Sequence, residues 1–351
     1  MESISAKIYS HANYITGEGA NLIFELTNHT DKPVHILKWN TPLEGLKSDC
    51  LHVLKNGKTV AYDGRLVKRG QPTQKDFLTL EPGKSVSAKV DIGEVYNMAS
   101  SGKVKVNYKT DNLVYFREPP TMESLMSTPA PKINHKAIKV VTKPATFSLT
   151  GKNARVQTAG ERARSLEKKK KSSSKKKVKR KVGQGLISVA LPCKVLGGIA
   201  GRKTIVNNAH QNGYALTSTV LSNMANNADY KTWFGAFTKL RFKKVKTDYQ
   251  KIKSDFENKE FTYDLSGTDC DSGDYAYTYK GTTTIWLCSS FWSAPHLGSD
   301  SQAGTMVHEH SHASAYTDDN AYGPAPCKML AKTNPSKAIR NADSHEYYAK
   351  G

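Results

Sequence analysis

The chain has 351 residues and a formal net charge of +21, from 52 lysines and arginines against 31 aspartates and glutamates. This length can hold two domains with separate cores, and no apolar stretch is long enough to cross a membrane. The positive charge first suggests a nucleic-acid-binding protein, but twelve basic residues lie between positions 161 and 181. Much of the charge therefore belongs to one segment rather than to the surface of a domain.

Residues 1–150 have the pattern of β-structure. Apolar or alternating runs occur at 21–27, 51–54, 86–91, 103–108 and 137–141, separated by turn-forming pairs such as Asn56-Gly57 and Pro82-Gly83. Short strands at this spacing predict an all-β sandwich of immunoglobulin-like kind. Residues 119–136, with four prolines, predict a long loop. This half contains no metal-binding or nucleophile constellation, so we expect it to inhibit, chaperone or target the other half.

Residues 151–185 form a lysine-rich segment. Lysines fill positions 168–171 and 175–177, with three serines between them and almost no apolar residue nearby. Such a composition cannot bury a core, so we expect a disordered linker. An element that reads nucleic-acid bases would need apolar packing and interleaved aromatic residues, and neither is present.

Residues 186–351 change to a helical pattern. Apolar residues recur at three- and four-residue spacing in 205–224 and 236–256, which predicts two helices. Residues 275–288 predict a hairpin around Lys280-Gly281. We therefore expect a mostly helical α+β domain with a small antiparallel sheet, whose edge can hold an extended peptide.

Positions 308–312 read His-Glu-His-Ser-His. On a helix, His308 and His312 lie one turn apart on the same face, so both imidazoles can bind one Zn²⁺. Glu309, next to the first ligand, can take a proton from a water at the metal. His310 points roughly 200° away and should not reach the metal. The alternative is a core helix that merely carries two histidines with an exposed glutamate between them.

A third ligand is expected just after this helix, where residues 316–323 read Tyr-Thr-Asp-Asp-Asn-Ala-Tyr-Gly. This segment resembles the aspzincin (deuterolysin-type) metallopeptidases, whose third ligand is the aspartate of Gly-Thr-x-Asp-x-x-Tyr-Gly. The resemblance implies that Asp319 binds zinc, while Asp318 is a solvated or neighbouring carboxylate. It also implies that Tyr322 donates a hydrogen bond to the oxyanion, the alternative being a packed tyrosine at a turn. Tyr316 departs from the motif, which has glycine there.

The resemblance to one subgroup, the peptidyl-Lys metalloendopeptidases, extends over residues 190–350 and includes blocks at 232–235, 291–295, 298–305 and 341–347. In that subgroup two acidic residues near the C-terminus hold the lysine of the substrate. The resemblance places them at Asp343 and Glu346. Their i, i+3 spacing puts both on one helix face, where they can converge on one ammonium group. The alternative is an ordinary solvated acidic pair.

These resemblances imply a zinc-dependent endopeptidase with Zn²⁺ as cofactor that cuts on the amino side of lysine. From the position of the lysine-rich linker between the two halves we predict that the multidomain chain is a zymogen. Residues 1–150 would be the pro-domain, 151–185 the linker and activation site, and 186–351 the zincin-type catalytic domain. The lysine-rich linker offers bonds of the preferred kind. The alternative function is a basic protein that binds nucleic acid or another polyanion and has a structural zinc site. A structural site needs a fourth ligand, and no further His or Cys follows at zinc-finger spacing.

The chain has five cysteines. The family resemblance implies a disulfide between Cys270 and Cys288, on either side of the predicted hairpin. Cys193 and Cys327 are candidates for a second bridge, and Cys50 is expected to be a buried free thiol.

Disulfides indicate an oxidising compartment, so we expect secretion, although no signal peptide is visible at the N-terminus. The expected partners are protein or peptide substrates and the chain's own pro-domain. We expect no nucleic acid as a main partner, no membrane association and a monomer.

Overall fold

A computed structural model describes residues 3–120, 136–151, 156–173 and 190–350. Its contacts divide the chain into two compact units. The first contains Met1–Arg65 and Gln71–Arg162, and the second contains Leu66–Gly70 and Ala163–Gly351. The five-residue segment Leu66–Gly70 is therefore part of the second unit, although its neighbours in sequence belong to the first.

The N-terminal region is β-rich, and the five strands predicted there are confirmed. In chain order the strands are β1 (Ile4–Ser10), β2 (Asn13–Ile15), β3 (Asn21–Asn28), β4 (Val34–Leu37), β5 (Leu51–Lys55), β6 (Lys58–Thr59), β7 (Leu66–Arg69), β8 (Phe77–Leu80), β9 (Ser85–Asp91), β10 (Gly102–Phe116), β11 (Lys136–Val141) and β12 (Ala145–Thr150). Strand β7 belongs to the second unit. Most of the loop predicted at 119–136 lies outside the described residues.

Two sheets share the core of the first unit. One has the order β1-β3-β9, and the other has the order β2-β12-β10-β4-β8, with β5 and β11 also paired to β10. Alternate residues of β3 are fully buried, as expected where one face of a strand is packed. Phe24 of β3 meets Tyr108 of β10 edge to face, with ring centroids 5.0 Å apart. The two sheets therefore pack against each other through their apolar faces.

The C-terminal region is mostly helical, as predicted. Its elements are α1 (Ala159–Ser173), β13 (Lys194–Leu196), α2 (Ala200–Asn223), α3 (Ala228–Phe234), α4 (Lys239–Asn258), β14 (Thr262–Asp264), β15 (Asp274–Thr278), β16 (Thr284–Leu287), α5 (Ser289–Ser293), α6 (Gln302–His310), a π-helical turn (Ser311–Ala315), α7 (Pro324–Thr333), α8 (Pro335–Ala338) and α9 (Ala342–Ala349). The two helices predicted from periodicity correspond to α2 and α4. Helix α4 begins at Lys239 because the Thr238 hydroxyl accepts the Arg241 N–H and caps it.

The sheet of the second unit has the order β13-β14-β16-β15-β7. The predicted hairpin is confirmed as the antiparallel pair β15–β16. The prediction of an antiparallel sheet is wrong for the three strands β13, β14 and β16, which run parallel to one another. Helices α2 to α4 connect β13 to β14, and a crossover of that length permits parallel pairing. At the other edge β7 pairs antiparallel with β15.

The prediction of disorder is wrong for the first part of the lysine-rich segment, because residues 159–173 form α1. Thr158 Oγ1 accepts the Glu161 N–H at 3.2 Å, and the Thr158 N–H donates to Glu161 Oε2 at 3.1 Å. This reciprocal pair is a capping box, and the alanine, glutamate, lysine and arginine residues that follow favour a helix.

Helix α1 is also held by contacts inside the second unit. The Arg164 guanidinium donates to the Lys280 carbonyl at 2.9 Å, and Glu167 Oε1 accepts the Thr283 N–H at 2.8 Å. Low apolar content therefore did not prevent order here. The second lysine cluster, at 175–177, lies outside the described residues.

The disulfide between Cys270 and Cys288 is confirmed, and Cys50 is a buried free thiol as predicted. The suggested bridge between Cys193 and Cys327 is wrong, because both are free. The Cys327 thiol is buried and donates to the Ala321 carbonyl at 3.5 Å. Cys193 contacts a different residue, so the two sulfur atoms are held in separate environments. Among the described residues, no helix is both long and apolar enough to cross a membrane.

Candidate active site

Helix α6 carries His308 and Glu309 of the His-Glu-x-x-His motif and is entirely buried, while His312 lies in the π-helical turn that follows. The Ser301 hydroxyl caps it by accepting the Gly304 N–H at 2.9 Å. The helix continues into the π-helical turn Ser311–Ala315 and ends at Tyr316, whose φ of 59° is left-handed. The family motif has glycine at this position, and a left-handed backbone favours glycine. Tyr316 therefore departs from the motif in residue type while the chain still makes a left-handed turn there.

The structure brings together His308, His312 and Asp319, which we call the zinc trio. The two Nε2 atoms are 3.0 Å apart, and Asp319 Oδ1 lies 3.4 Å from His308 Nε2 and 3.2 Å from His312 Nε2. A tetrahedral zinc with bonds of 2.0–2.1 Å separates its ligand atoms by roughly 3.3 Å. Asp319 Oδ1 is also buried and accepts no hydrogen bond. The spacing and the donor types of the zinc trio both fit zinc.

The two imidazoles are oriented by acceptors on their far sides. His312 Nδ1 donates to the Thr317 carbonyl at 3.0 Å, and His308 Nδ1 lies 2.8 Å from Asp343 Oδ1. Because a carbonyl oxygen accepts, His312 Nδ1 carries the proton and its Nε2 lone pair is free to face the metal. Partners of this kind, including a carboxylate close to the far side of the ring, raise the basicity of a metal-binding histidine.

Glu309 lies beside the zinc trio and is fully buried. Burial raises the pKa of Glu309 to about 8, with a smaller contribution from the charge of Asp319 and an opposing one from His308. Its Oε2 atom is buried without a hydrogen-bond donor, while Oε1 accepts the backbone N–H of Lys68 at 3.2 Å. A carboxylate with a pKa near neutrality is suited to take up and return a proton.

Asp318 makes ion pairs instead of joining the zinc trio. Its carboxylate lies 2.5 Å from Lys280 Nζ and 2.7 Å from Arg340 Nη2. Asp318 is therefore a neighbouring carboxylate outside the zinc trio.

Asp343 and Glu346, the predicted acidic pair, lie on α9 and are fully buried. Their carboxylates converge on one ammonium group: Lys68 Nζ lies 3.2 Å from Asp343 Oδ1 and 2.9 Å from Glu346 Oε2. A side chain on Gly304 of α6 would place its Cβ 2.7 Å from Glu346 Oε1. Glycine at that position therefore leaves the space that the carboxylate fills.

Asp300 is a third acid beside the Lys68 ammonium, and it was not among the residues predicted from the sequence. Its Oδ1 atom lies 2.7 Å from Lys68 Nζ and also accepts the Tyr347 hydroxyl at 2.7 Å. The Tyr347 ring centroid is 5.2 Å from the same ammonium. We call Asp300, Asp343, Glu346 and Tyr347 the lysine pocket. The signal for Asp300 was its place in the 298–305 block.

Lys68 was also missed, because nothing in its local sequence distinguishes it from the other lysines. Its side chain is fully buried. Burial opposes its charge, but the carboxylates of Asp343 and Glu346 outweigh burial and raise the pKa of Lys68 well above its usual value. The lysine in the pocket is therefore an ammonium ion.

Tyr322 is buried, and the guanidinium of Arg69 lies 5.3 Å from its ring centroid. The next residue is held by a hydrogen bond from the Gly323 N–H to Asp343 Oδ2 at 2.7 Å. Asp343 thus contacts His308, Lys68 and the segment that carries Tyr322, which links the zinc trio to the lysine pocket.

Comparisons with known proteins agree with this chemistry. The model of a family described as lysine-specific metallo-endopeptidase (aspzincin) matches residues 219–350. An extracellular protease of Aeromonas hydrophila is 31% identical over 332 residues, 92% of this chain and 86% of that protein. A peptidyl-Lys metalloendopeptidase of Pleurotus ostreatus is 38% identical over 161 residues, 44% of this chain and 94% of that protein. A solved zinc peptidase from Grifola frondosa is 35% identical, covering 44% of this chain and 96% of that one, with a TM-score of 0.41.

Proposed function

Because the chain belongs to the aspzincin family of lysine-specific metallo-endopeptidases, we propose that this zinc metalloendopeptidase cuts peptide bonds on the amino side of lysine. The observation that carries the proposal is the lysine pocket beside the zinc trio. Asp300, Asp343 and Glu346 present three carboxylates to one ammonium group. An ammonium has three N–H donors, so each carboxylate can accept one of them.

The zinc trio would hold Zn²⁺, which would supply a Lewis acid for the scissile carbonyl and for a water. Glu309 accepts a proton from the attacking water and passes it to the leaving nitrogen. Tyr322 donates a hydrogen bond to the oxyanion, a contact typically worth about 3 kcal/mol. The lysine pocket fixes the residue that carries the leaving nitrogen.

We also propose that the enzyme is made as a zymogen and activated by cleavage in the lysine-rich segment. Two comparisons support this: the family match covers only residues 219–350, and the match to the Pleurotus ostreatus relative covers 44% of this chain but 94% of that protein. The lysines at 168–171 lie in α1, and a helical bond must unwind before it can bind as an extended peptide. Cleavage among the lysines at 168–171 would therefore require α1 to unwind locally.

For the N-terminal region we propose an immunoglobulin-like sandwich that acts as the pro-domain, with boundaries near 1–150, 151–185 and 186–351. Secretion as a monomer is part of the same proposal. The disulfide Cys270–Cys288 and the relative named as an extracellular protease support secretion into an oxidising environment.

The proposed specificity is tested by incubating the zinc-loaded enzyme with a denatured protein and sequencing the products by mass spectrometry. New N-termini should be lysine. Glu309→Gln should keep its zinc and give no products, whereas a structural zinc site would leave both proteins inactive. Products that begin at residues of many kinds would contradict the lysine preference.

The zymogen proposal is tested on the chain itself, followed over time with zinc beside Glu309→Gln. The wild type should yield a fragment that begins at a lysine between about residues 168 and 181, and the variant should stay whole. An intact wild-type chain with full activity on added peptides would contradict the proposal.

A further inference from the structure

Strand β7 occupies the place where an extended substrate would be added to the sheet. It pairs antiparallel with β15, with Lys68 opposite Ala276 and Val67 opposite Tyr277. The Gly70 N–H continues the ladder by donating to the Gly273 carbonyl at 3.1 Å. All four residues of the strand are buried. Zinc peptidases commonly bind substrates by this kind of strand addition, so the site is filled by a segment of the same chain.

The side chain of β7 that enters the lysine pocket is a lysine. Its ammonium lies 2.7 Å from Asp300, 2.9 Å from Glu346 and 3.2 Å from Asp343. A buried ion pair is weak evidence for a role in stability, because apolar replacements of similar volume are often as stable. A strand needed only to complete the sheet would not require a charge here.

The backbone of β7 has the register of a substrate cut before lysine. The Lys68 N–H donates to Glu309 Oε1 at 3.2 Å, and the Val67 N–H donates to Asp319 Oδ2 at 2.9 Å. In hydrolysis before lysine, the nitrogen of that lysine is the leaving atom that receives a proton from the glutamate. The Val67–Lys68 bond is therefore the one whose leaving nitrogen is next to Glu309.

We propose that Leu66–Gly70 is an internal substrate-like ligand that closes the cleft to other peptides, with Lys68 in the place of the substrate lysine. This inference rests on the proposed function and adds the segment that regulates the site. A segment of the same chain competes at an effective concentration on the order of millimolar. Typical KM values lie between about 1 µM and 1 mM, so the internal segment outcompetes most added peptides.

The first test compares the full-length wild type with Lys68→Met, which keeps the length of the side chain and removes its charge. Lys58→Met is the matched control, because Lys58 lies on strand β6 of the first unit and is exposed. Zinc and a fluorogenic peptide with one lysine are added together to metal-depleted protein, and the initial rate is measured while mass spectrometry still shows only whole chain. The initial rate of peptide cleavage by Lys68→Met should be at least about tenfold higher than the initial rates of the other two proteins. Equal initial rates in all three would overturn the proposal.

A second measurement does not depend on the folding of the variant. Wild-type chain is incubated with zinc until its activity on the fluorogenic peptide is constant, and a synthetic peptide of residues 63–73 is added. This peptide has one lysine. It should compete with the fluorogenic peptide and be cut only between Val67 and Lys68, whereas the same peptide with methionine at 68 should do neither.

Two outcomes would contradict the inference in different ways. If the enzyme cuts other lysine peptides but neither cuts nor binds the 63–73 peptide, the inference fails while the proposed function stands. If the enzyme cuts no lysine peptide at all, the proposed function fails and the inference fails with it.

Discussion

The zinc trio is built from the end of α6, the π-helical turn and the loop after it, whereas the lysine pocket is built mainly from α9, and each is suited to a different cation. The zinc trio offers two imidazole nitrogens and one carboxylate, with ligand atoms 3.0–3.4 Å apart. The lysine pocket offers three carboxylates and an aromatic ring, and it holds an ammonium group. Nitrogen-rich sets suit zinc, while oxygen acceptors arranged around one point suit the three donors of an ammonium. Donor type and spacing, rather than negative charge alone, therefore separate the two sites.

The largest effect should come from removing the carboxylate of the zinc trio. Asp319→Ala should lose zinc and activity together, because two imidazoles alone leave the metal without its third protein ligand. Metal content and peptidase rate are measured on the same sample.

Asp318→Ala is the matched control for this change. It removes ion pairs with Lys280 and Arg340 that are partly exposed, so it should keep most of the zinc and activity. If Asp318→Ala lost zinc and activity while Asp319→Ala kept both, Asp318 rather than Asp319 would be the zinc ligand.

His210 is a buried histidine whose neighbours are a hydroxyl and a carbonyl, whereas His308 lies beside carboxylates. His210 donates to or accepts from the Tyr263 hydroxyl at 2.7 Å and contacts the Leu191 carbonyl at 3.0 Å. Burial lowers the pKa of His210 to about 4 from 6.5. As the pH falls, His210 is therefore protonated near pH 6.5 in the unfolded chain but only near pH 4 in the folded chain.

Stability should consequently be full above pH 6.5 and fall by up to about 3 kcal/mol between pH 6.5 and 4 on account of this residue. Urea unfolding of the Glu309→Gln chain, which avoids self-digestion, measures the slope. Adding His210→Gln should reduce the slope in that window. An unchanged slope would show that His210 is charged in the folded protein.

Substitutions of the two predicted acids of the lysine pocket should have different effects on zinc binding. Asp343 touches both Lys68 Nζ and His308 Nδ1, so Asp343→Asn should weaken zinc binding by about 10–100-fold as well as lysine selectivity. Glu346→Gln should keep the zinc affinity and cost at least about 2 kcal/mol, or roughly thirtyfold, in kcat/KM for lysine peptides.

This pair refines the expectation from sequence that both acids serve specificity alone. Zinc titration and kcat/KM for lysine and methionine peptides are measured on the processed enzyme. Equal zinc affinities in the two variants would show that Asp343 does not orient His308.

Asp300 should have the smallest effect of the three acids, since its side chain is 27% exposed and solvent screens its charge. Asp300→Asn should raise KM for lysine peptides about fivefold, or about 1 kcal/mol, and leave kcat and zinc binding unchanged. A fall in kcat at constant KM would place Asp300 in the chemistry instead of the pocket.

The sequence predicts these two sites to different degrees. His308, Glu309 and His312 follow from the His-Glu-x-x-His motif and the one-turn spacing of a helix, but Asp319 required the family motif, because the loop after the helix has no periodicity. The capping box of α1 was readable at Thr158 and Glu161, and the low apolar content obscured it. Lys68 was not predictable, because it contacts Asp343, which lies 275 residues away in the sequence, and no local pattern indicates that pairing.

The most direct test of the account is anomalous diffraction at the zinc absorption edge from crystals of the full-length Glu309→Gln chain grown with zinc. We predict one zinc peak bounded by His308 Nε2, His312 Nε2 and Asp319 Oδ1, with the Lys68 ammonium still in the lysine pocket. The structure also contains a second cluster of candidate ligands, formed by His308, Asp343 and Glu346. A zinc peak in that cluster, with Lys68 displaced, would contradict the division of the two sites between zinc and lysine.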